Sequence, residues 1–247
     1  ALMAAVLAKG VTSLFNAAME PEIDATIDFL NLMGAQISGK GTTTLIIEGV
    51  EKLQPAEMEM IPDRIEAGTF LIAGALSTNP VTVTNCNPNH LTLPMEKLRA
   101  SGCELEVENC SITVYPPEII QPVDIITLPY PGFPTDLQAQ FMVLMCLADG
   151  ISFIEDTIFP DRFAHVAELN RLQADIRVEQ NIARVKGVKK LSGAEVMATD
   201  LRASAALVLA GIAAEGKTVI SRIYHIDRGY DHIEKKLNAI GAKITRS

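Results

Sequence analysis

Runs of basic residues are almost missing: none exceeds two, and the 247-residue chain carries a formal net charge of −9. That excludes the electrostatic footprint of a nucleic-acid or anionic-membrane surface. No apolar run reaches the roughly 18–20 residues needed to span a bilayer, and nothing at the N-terminus reads as a signal peptide. The four cysteines, Cys86, Cys103, Cys110 and Cys146, show neither CxxC pairing nor the histidine spacing of a metal site. They read as buried free thiols of a reducing cytoplasm, not as a metal site or a disulfide framework. The four histidines form no HExxH and no triad-like pattern, which assigns them to packing or surface. Neither GxxxxGK[ST] nor GxGxxG occurs, so any nucleotide is held without a P-loop or a Rossmann turn. No metal and no cofactor is expected.

What is present is an ordinary α/β composition, 48% hydrophobic and 21% charged, arranged as a long repeat. Residues 1–8 read as the end of a helix, 12–15 as a strand, 21–33 as a helix, and 35–38 with 44–47 as strands. The order returns as helix 70–77, strand 81–84, helix 91–100 and strands 104–107 and 112–115. It returns again as helix 137–148, strand 151–154, helix 163–172 and strands 175–178 and 182–185. The last copy has helix 203–214, strand 218–220, helix 230–240 and strand 242–245. Gly34, Gly102, Gln173 and Gly241 mark the end of each second helix, so the period is about seventy residues. Each unit reads strand–helix–strand–helix–strand–strand, enough for its own layer of sheet over helices.

The first-helix caps share a register: Asp63, Thr135 and Thr199, with Glu66, Gln138 and Arg202 three residues on. The first two pairs read as capping boxes; the last puts a cation where helix-end N–H groups already carry partial positive charge. A guanidinium at such a place makes sense when an anion is held there. The first copy has no cap, because the sequence opens inside its helix, and the expectation is a truncated protein. A boundary falls in 54–62, where two prolines interrupt the pattern. Residues 1–61 are expected to be the tail of a first domain and 62–247 a second domain of three repeats.

If the ligand is anionic, a few placed arginines must attract it against the global charge: Arg64, Arg162, Arg202, Arg222 and Arg228. Asp161-Arg162 and Asp227-Arg228 stand 11 residues after Gly150 and Gly216, at equivalent sites. Arg162 reads as a solvated neighbour of a capping acid, and Arg228, sharing a repeat with Arg202, as functional. Asp136 and Asp200 follow the cap residues. The helix dipole alone favours acids there, and a general base toward a ligand hydroxyl is the competing reading; the residue pattern does not choose.

The segments Pro62-Asp-Arg-Ile-Glu-Ala-Gly-Thr-Phe70, Phe133-Pro-Thr-Asp-Leu-Gln-Ala-Gln140, Leu191-Ser-Gly-Ala-Glu-Val-Met-Ala-Thr-Asp-Leu-Arg-Ala-Ser204 and Arg222-Ile-Tyr-His-Ile-Asp-Arg-Gly-Tyr230 resemble the UDP-N-acetylglucosamine enolpyruvyl transferases. The resemblance implies an inside-out α/β barrel fold with helices buried centrally and two domains of three repeats each. It implies transfer of the enolpyruvyl group of phosphoenolpyruvate to the 3′-hydroxyl of UDP-N-acetylglucosamine, the first committed step of peptidoglycan synthesis, in the cytoplasm. Asp136 resembles the acid that accepts the hydroxyl proton. Arg202 and Arg228 resemble the arginines holding phosphate and carboxylate, with Asp200 a nearby acid. Ile158 and Phe159, in Asp156-Thr-Ile-Phe159, match positions against the nucleotide sugar; Arg64, Glu20 and Glu22 are expected near the cleft. The family's reactive-cysteine loop and its lysine belong to a portion absent here, so this chain alone is expected to be inactive. The alternatives are a shikimate-3-phosphate enolpyruvyl transferase and a non-catalytic binding or assembly module.

Overall fold

The computed structural model describes residues 1–246 and divides into two compact units, 1–62 with 129–131, and 63–128 with 132–246. The first unit runs α1 (Leu2–Ala5), β1 (Val11–Phe15), α2 (Pro21–Leu32), β2 (Gln36–Ser38) and β3 (Thr44–Glu48). Its antiparallel sheet has the order β1-β3-β2. Val6, Ile27, Leu30, Leu45 and Ile47 form its core.

The second unit begins with α3 (Arg64–Ala75), β4 (Val81–Thr84), α4 (Thr92–Ala100), β5 (Glu104–Val107) and β6 (Ser111–Tyr115). It continues through β7 (Ile125–Thr127), α5 (Gln138–Met145), β8 (Ile151–Asp156), α6 (His165–Arg171), β9 (Asp175–Glu179) and β10 (Ile182–Lys186). It ends with β11 (Glu195–Met197), α7 (Leu201–Ala213), β12 (Val219–Ser221) and α8 (Ile233–Ala239). The sheets have orders β4-β6-β5, β7-β8-β10-β9 and β11-β12. The β7–β8 and β11–β12 pairs are parallel, as a crossover through a helix requires. The strands thus lie in separate sheets of two to four, not in one closed barrel.

Two classes of helix follow from two sequence patterns. In α4, α6 and α8 a single stripe is buried: Met95 and Leu98, Val166 and Leu169, Ile233 and Leu237. In contrast α3, α5 and α7 are apolar nearly all round and form the centre of the unit. Every residue of α5 is buried, Phe141, Met142, Val143, Leu144 and Met145 among them, and each such side chain stabilises by roughly 1.5–3 kcal/mol. Close approach needs small residues: a Cβ at Gly68 of α3 would lie 2.5 Å from Leu137 Cδ1.

The repeat is repeated in hydrogen bonds. The N–H groups of Ala35, Cys103, Ala174 and Ala242 each return to the carbonyl five residues earlier, on Leu30, Leu98, Leu169 and Leu237. The residue before each of them is left-handed, with φ +98°, +98° and +106° at Gly34, Gly102 and Gly241 and +69° at Gln173, a helix stop that glycine makes without strain. In three copies an asparagine brackets the segment after the helix: Asn31, Asn170 and Asn238 each bond both N–H and C=O of the isoleucine six residues on.

Several expectations need correction. The helix expected at 70–77 starts at Arg64, because Asp63 accepts from the N–H groups of Ile65 and Glu66. Glu66 Oε1 meets Lys236 Nζ at 2.6 Å. The Thr135/Gln138 capping box does not form, since Thr135 donates instead to Asp156 and Gln138 is wholly buried. The cap of α7 is Asp200, not Thr199, which makes Arg202 the second helical residue and not the third. Residues 242–245 are not a strand: no strand pairs with them, and Asn238 takes the Ile244 backbone groups. A leading strand precedes the first helix only in the last two copies, as β7 and β11.

Candidate functional site

Parallel pairing of β7 with β8 brings two strand ends, Thr127 and Asp156, side by side. Asp156 is fully buried, and its carboxylate is saturated. Oδ1 accepts from Thr127 Oγ1 (2.8 Å), Ile158 N (3.0 Å) and Phe159 N (2.8 Å), and Oδ2 accepts from Thr135 Oγ1 at 2.6 Å. A buried carboxylate with this many donors spends its lone pairs on the fold. It fixes the loop after β8 and the short 3-10 turn Thr135–Leu137 that leads into α5.

That turn presents Asp136. Its Oδ1 accepts from Arg162 Nη2 and from Arg202 Nε, both at 3.0 Å. Arg162 also donates Nη1 to Thr135 Oγ1 at 3.1 Å, and its guanidinium lies 5.3 Å from the centre of the Phe159 ring. Burial alone pushes the Asp136 carboxyl upward, but the two guanidiniums, by charge and hydrogen bond, outweigh it and hold its pKa below the ordinary value. Burial likewise opposes the charge on Arg202, and Asp136 with the Tyr230 hydroxyl more than restores it. The cation that clashes with the start of α7 is therefore compensated on two sides. Asp200 Oδ1 accepts the N–H groups of Arg202 and Ala203 at 2.8 and 2.9 Å, and Asp136 takes the side chain.

Of the expected site residues, Asp136, Arg202 and Asp200 come together. Asp200 acts as a helix cap, so its carboxylate is engaged with backbone. Ile158 is half-buried and Phe159 exposed, on the loop that Asp156 holds. Arg64 is buried as the first residue of α3. Arg228 does not join the Asp136 cluster. It stands exposed in the 3-10 turn Ile223–Arg228, lining a hollow with Glu66, Asp227, His232, Glu234 and Arg246. Glu20 and Glu22 belong to the first unit, at and just inside the start of α2. Among the described residues no His/Cys/Asp/Glu group could hold a metal ion.

Arg162 is the main omission from the expected site. Its only signal was the shared register with Arg228, and the solvated reading fails because Asp136 and Thr135 draw it inward. His165, the first residue of α6, has a sequence setting that points only to packing or surface. It is fully buried, its Nε2 has no hydrogen-bond partner, and burial lowers its pKa from 6.5 to about 4 against the opposing pull of Asp200. The unfolded state therefore binds the proton first. Stability is full above about pH 6.5 and is expected to fall by about 3 kcal/mol as pH drops toward 4. Denaturant titrations across that range test this, and His165→Phe should flatten the slope; an unchanged slope would refute the assignment.

Comparison with known proteins decides the family. The family model for EPSP synthase (3-phosphoshikimate 1-carboxyvinyltransferase) matches residues 1–237. The chain belongs to the EPSP synthase family. Within this family it is 55% identical over 245 residues to a UDP-N-acetylglucosamine 1-carboxyvinyltransferase of Desulfosudis oleivorans, covering 99% of this chain and 59% of that protein. It is 56% identical over 247 residues to the enzyme of the same name from Hydrogenovibrio crunogenus, covering 100% and 59%. The chain thus spans under two thirds of the curated relatives it matches. Among solved structures, the enolpyruvyl transferase NikO from Streptomyces tendae superposes with a TM-score of 0.90 at 28% identity, over 99% of this chain and 58% of that one. EPSP synthase from Acinetobacter baumannii, at 21% identity and a TM-score of 0.78, shares the fold. No helix among the described residues is long and apolar enough to cross a membrane.

Proposed function

We propose that the intact protein transfers the enolpyruvyl group of phosphoenolpyruvate to the 3′-hydroxyl of UDP-N-acetylglucosamine in the cytoplasm, for peptidoglycan synthesis. The observation that carries this is one carboxylate, Asp136, held between two half-buried arginines, Arg162 and Arg202. Residues 1–61 are the end of a first transferase domain and 62–247 most of a second, with α3, α5 and α7 as the central helices of the inside-out arrangement. In the reaction, the hydroxyl gives its proton to Asp136 and its oxygen bonds to C2 of phosphoenolpyruvate. C3 gains a proton, and phosphate leaves as C3 gives one up, restoring the double bond. Arg202 and Arg162 balance the charge of the anion at Asp136, and Arg228, exposed on the turn Ile223–Arg228, is the further cation assigned to it. Ile158 and Phe159, on the loop that Asp156 holds, contact the sugar nucleotide.

The family model is described by the shikimate reaction, which makes shikimate 3-phosphate the competing acceptor. Relatives above 50% identity carry the sugar-nucleotide name and favour the first reading. Assay of the full-length protein with each acceptor tests it: phosphate release is expected with UDP-N-acetylglucosamine and not with shikimate 3-phosphate. The opposite preference would overturn the assignment.

A further inference from the structure

Behind Arg202 lies a chain of hydroxyl groups that the proposed reaction does not use. Tyr230 is 2% exposed, and its hydroxyl lies against Arg202 and favours the charge of that side chain. The same hydroxyl lies 2.8 Å from Thr69 Oγ1, on α3, and 3.4 Å from Gln140 Nε2, on α5. Gln140 Nε2 is also 3.2 Å from Thr69 Oγ1. Thr69 Oγ1 is 2.9 Å from the Ile65 carbonyl of its own helix.

Counting protons fixes the directions. A carbonyl only accepts, so the single Thr69 proton goes to Ile65. The Tyr230–Thr69 bond is then donated by Tyr230. A guanidinium only donates, and the phenolic oxygen, its proton already committed to Thr69, can only accept. The hydroxyl chain runs one way, Tyr230 to Thr69 and Thr69 to the backbone of α3, which leaves the phenolic oxygen facing Arg202 as an acceptor.

We infer that Tyr230 is a positioning residue whose phenolic oxygen, oriented by Thr69 and Gln140, aims the Arg202 guanidinium at an anion bound beside Asp136. This rests on the proposal that Arg202 holds phosphoenolpyruvate. Asp136 fixes the guanidinium at Nε and Tyr230 at a second point, and two fixed points on a planar group set its orientation as one cannot. Three central helices thereby share in aiming a cation carried by one of them, which matches the way reactive groups are held by a locked supporting shell.

The test uses the full-length enzyme. Tyr230→Phe keeps the ring and removes only the acceptor. It is expected to lower kcat/KM for phosphoenolpyruvate by roughly tenfold to a hundredfold, the range of one hydrogen bond to a charged group. KM for UDP-N-acetylglucosamine should stay within about twofold. Thr69→Val should act in the same direction, Thr69→Ser should recover most of that loss, and Thr69→Val added to Tyr230→Phe should cost little more, because both remove one relay. Should Tyr230→Phe fail to fold, the Thr69 pair carries the test. Unchanged phosphoenolpyruvate kinetics in Tyr230→Phe, alongside an impaired Arg202→Ala, would overturn the inference and leave the function standing. So would a loss shared equally by both substrates with a lowered Tm, which marks a packing role. If Arg202→Ala itself leaves phosphoenolpyruvate use intact, the function assigned to Arg202 falls, and this inference with it.

Discussion

Arg202→Ala in the intact enzyme is expected to cut kcat/KM for phosphoenolpyruvate by roughly 10²- to 10³-fold, about 2.7–4 kcal/mol of transition-state stabilisation. The magnitude follows from where the cation sits. Its side chain is only 15% exposed, so little solvent screening weakens its field, in contrast to a surface ion pair worth about 0–1 kcal/mol. Its position at the start of α7 adds the N–H groups that Asp200 does not take, so charge and helix end act on one anion. Arg202→Lys should recover only part of the loss, because a point ammonium cannot meet Asp136, Tyr230 and an anion together. Steady-state kinetics with phosphoenolpyruvate varied at saturating sugar nucleotide measure both. Thermal unfolding provides the control: removing Arg202 leaves the Asp200 cap in place, so Tm should move by only a few degrees. A variant within threefold of wild type would remove Arg202 from the site.

Much of this was readable from residue order because the chain says the same thing four times. Gly34, Gly102 and Gly241 each close a second helix in the left-handed conformation, and their spacing exposes the period even where Gln173 takes the place of glycine. The site was legible where a residue contradicted its local setting. A cation in the first turn of α7 had no local reason to be there, and the structure supplies a distant one, Asp136. What stayed hidden were residues whose local reading was satisfactory. Thr135 and Gln138 have capping-box spacing, yet the threonine proton goes to a carboxylate 21 residues away. Asp161-Arg162 reads as a cap with a solvated neighbour, and nothing nearby in sequence announces that Arg162 turns toward Asp136. Asp156 ends a strand as turn acids commonly do. Its four donors come from Thr127, Thr135 and the loop after it. Residues 242–245 have the right composition for a strand but no neighbour to pair with, and pairing is not a property of a segment alone.

Asp136→Asn is the complementary experiment, and its effect is expected to fall on kcat, by roughly 10²- to 10⁴-fold, the usual contribution of a positioned acid–base group. The amide keeps an oxygen for Arg162 and Arg202, so the arginines stay in place while the base is lost. A carboxyl held below its ordinary pKa by two cations is a weak base, which argues against Asp136 working in the empty site. An anion that engages Arg202 and Arg162 removes the influence that lowers that pKa. Burial, which raises it, then dominates, and the carboxylate gains basicity only once phosphoenolpyruvate is bound. The sign is testable in pH profiles. The acid limb of kcat, which reports the loaded enzyme, should lie at higher pH than the limb of kcat/KM, which reports the free enzyme. Below about pH 6.5 both need a parallel measurement of unfolding, because His165 costs stability progressively as pH falls toward 4. Coincident limbs, or an Asp136→Asn variant that keeps more than a tenth of the wild-type kcat, would show that the proton goes elsewhere. The charge balance around Asp136 would then serve only to hold two arginines for the anion.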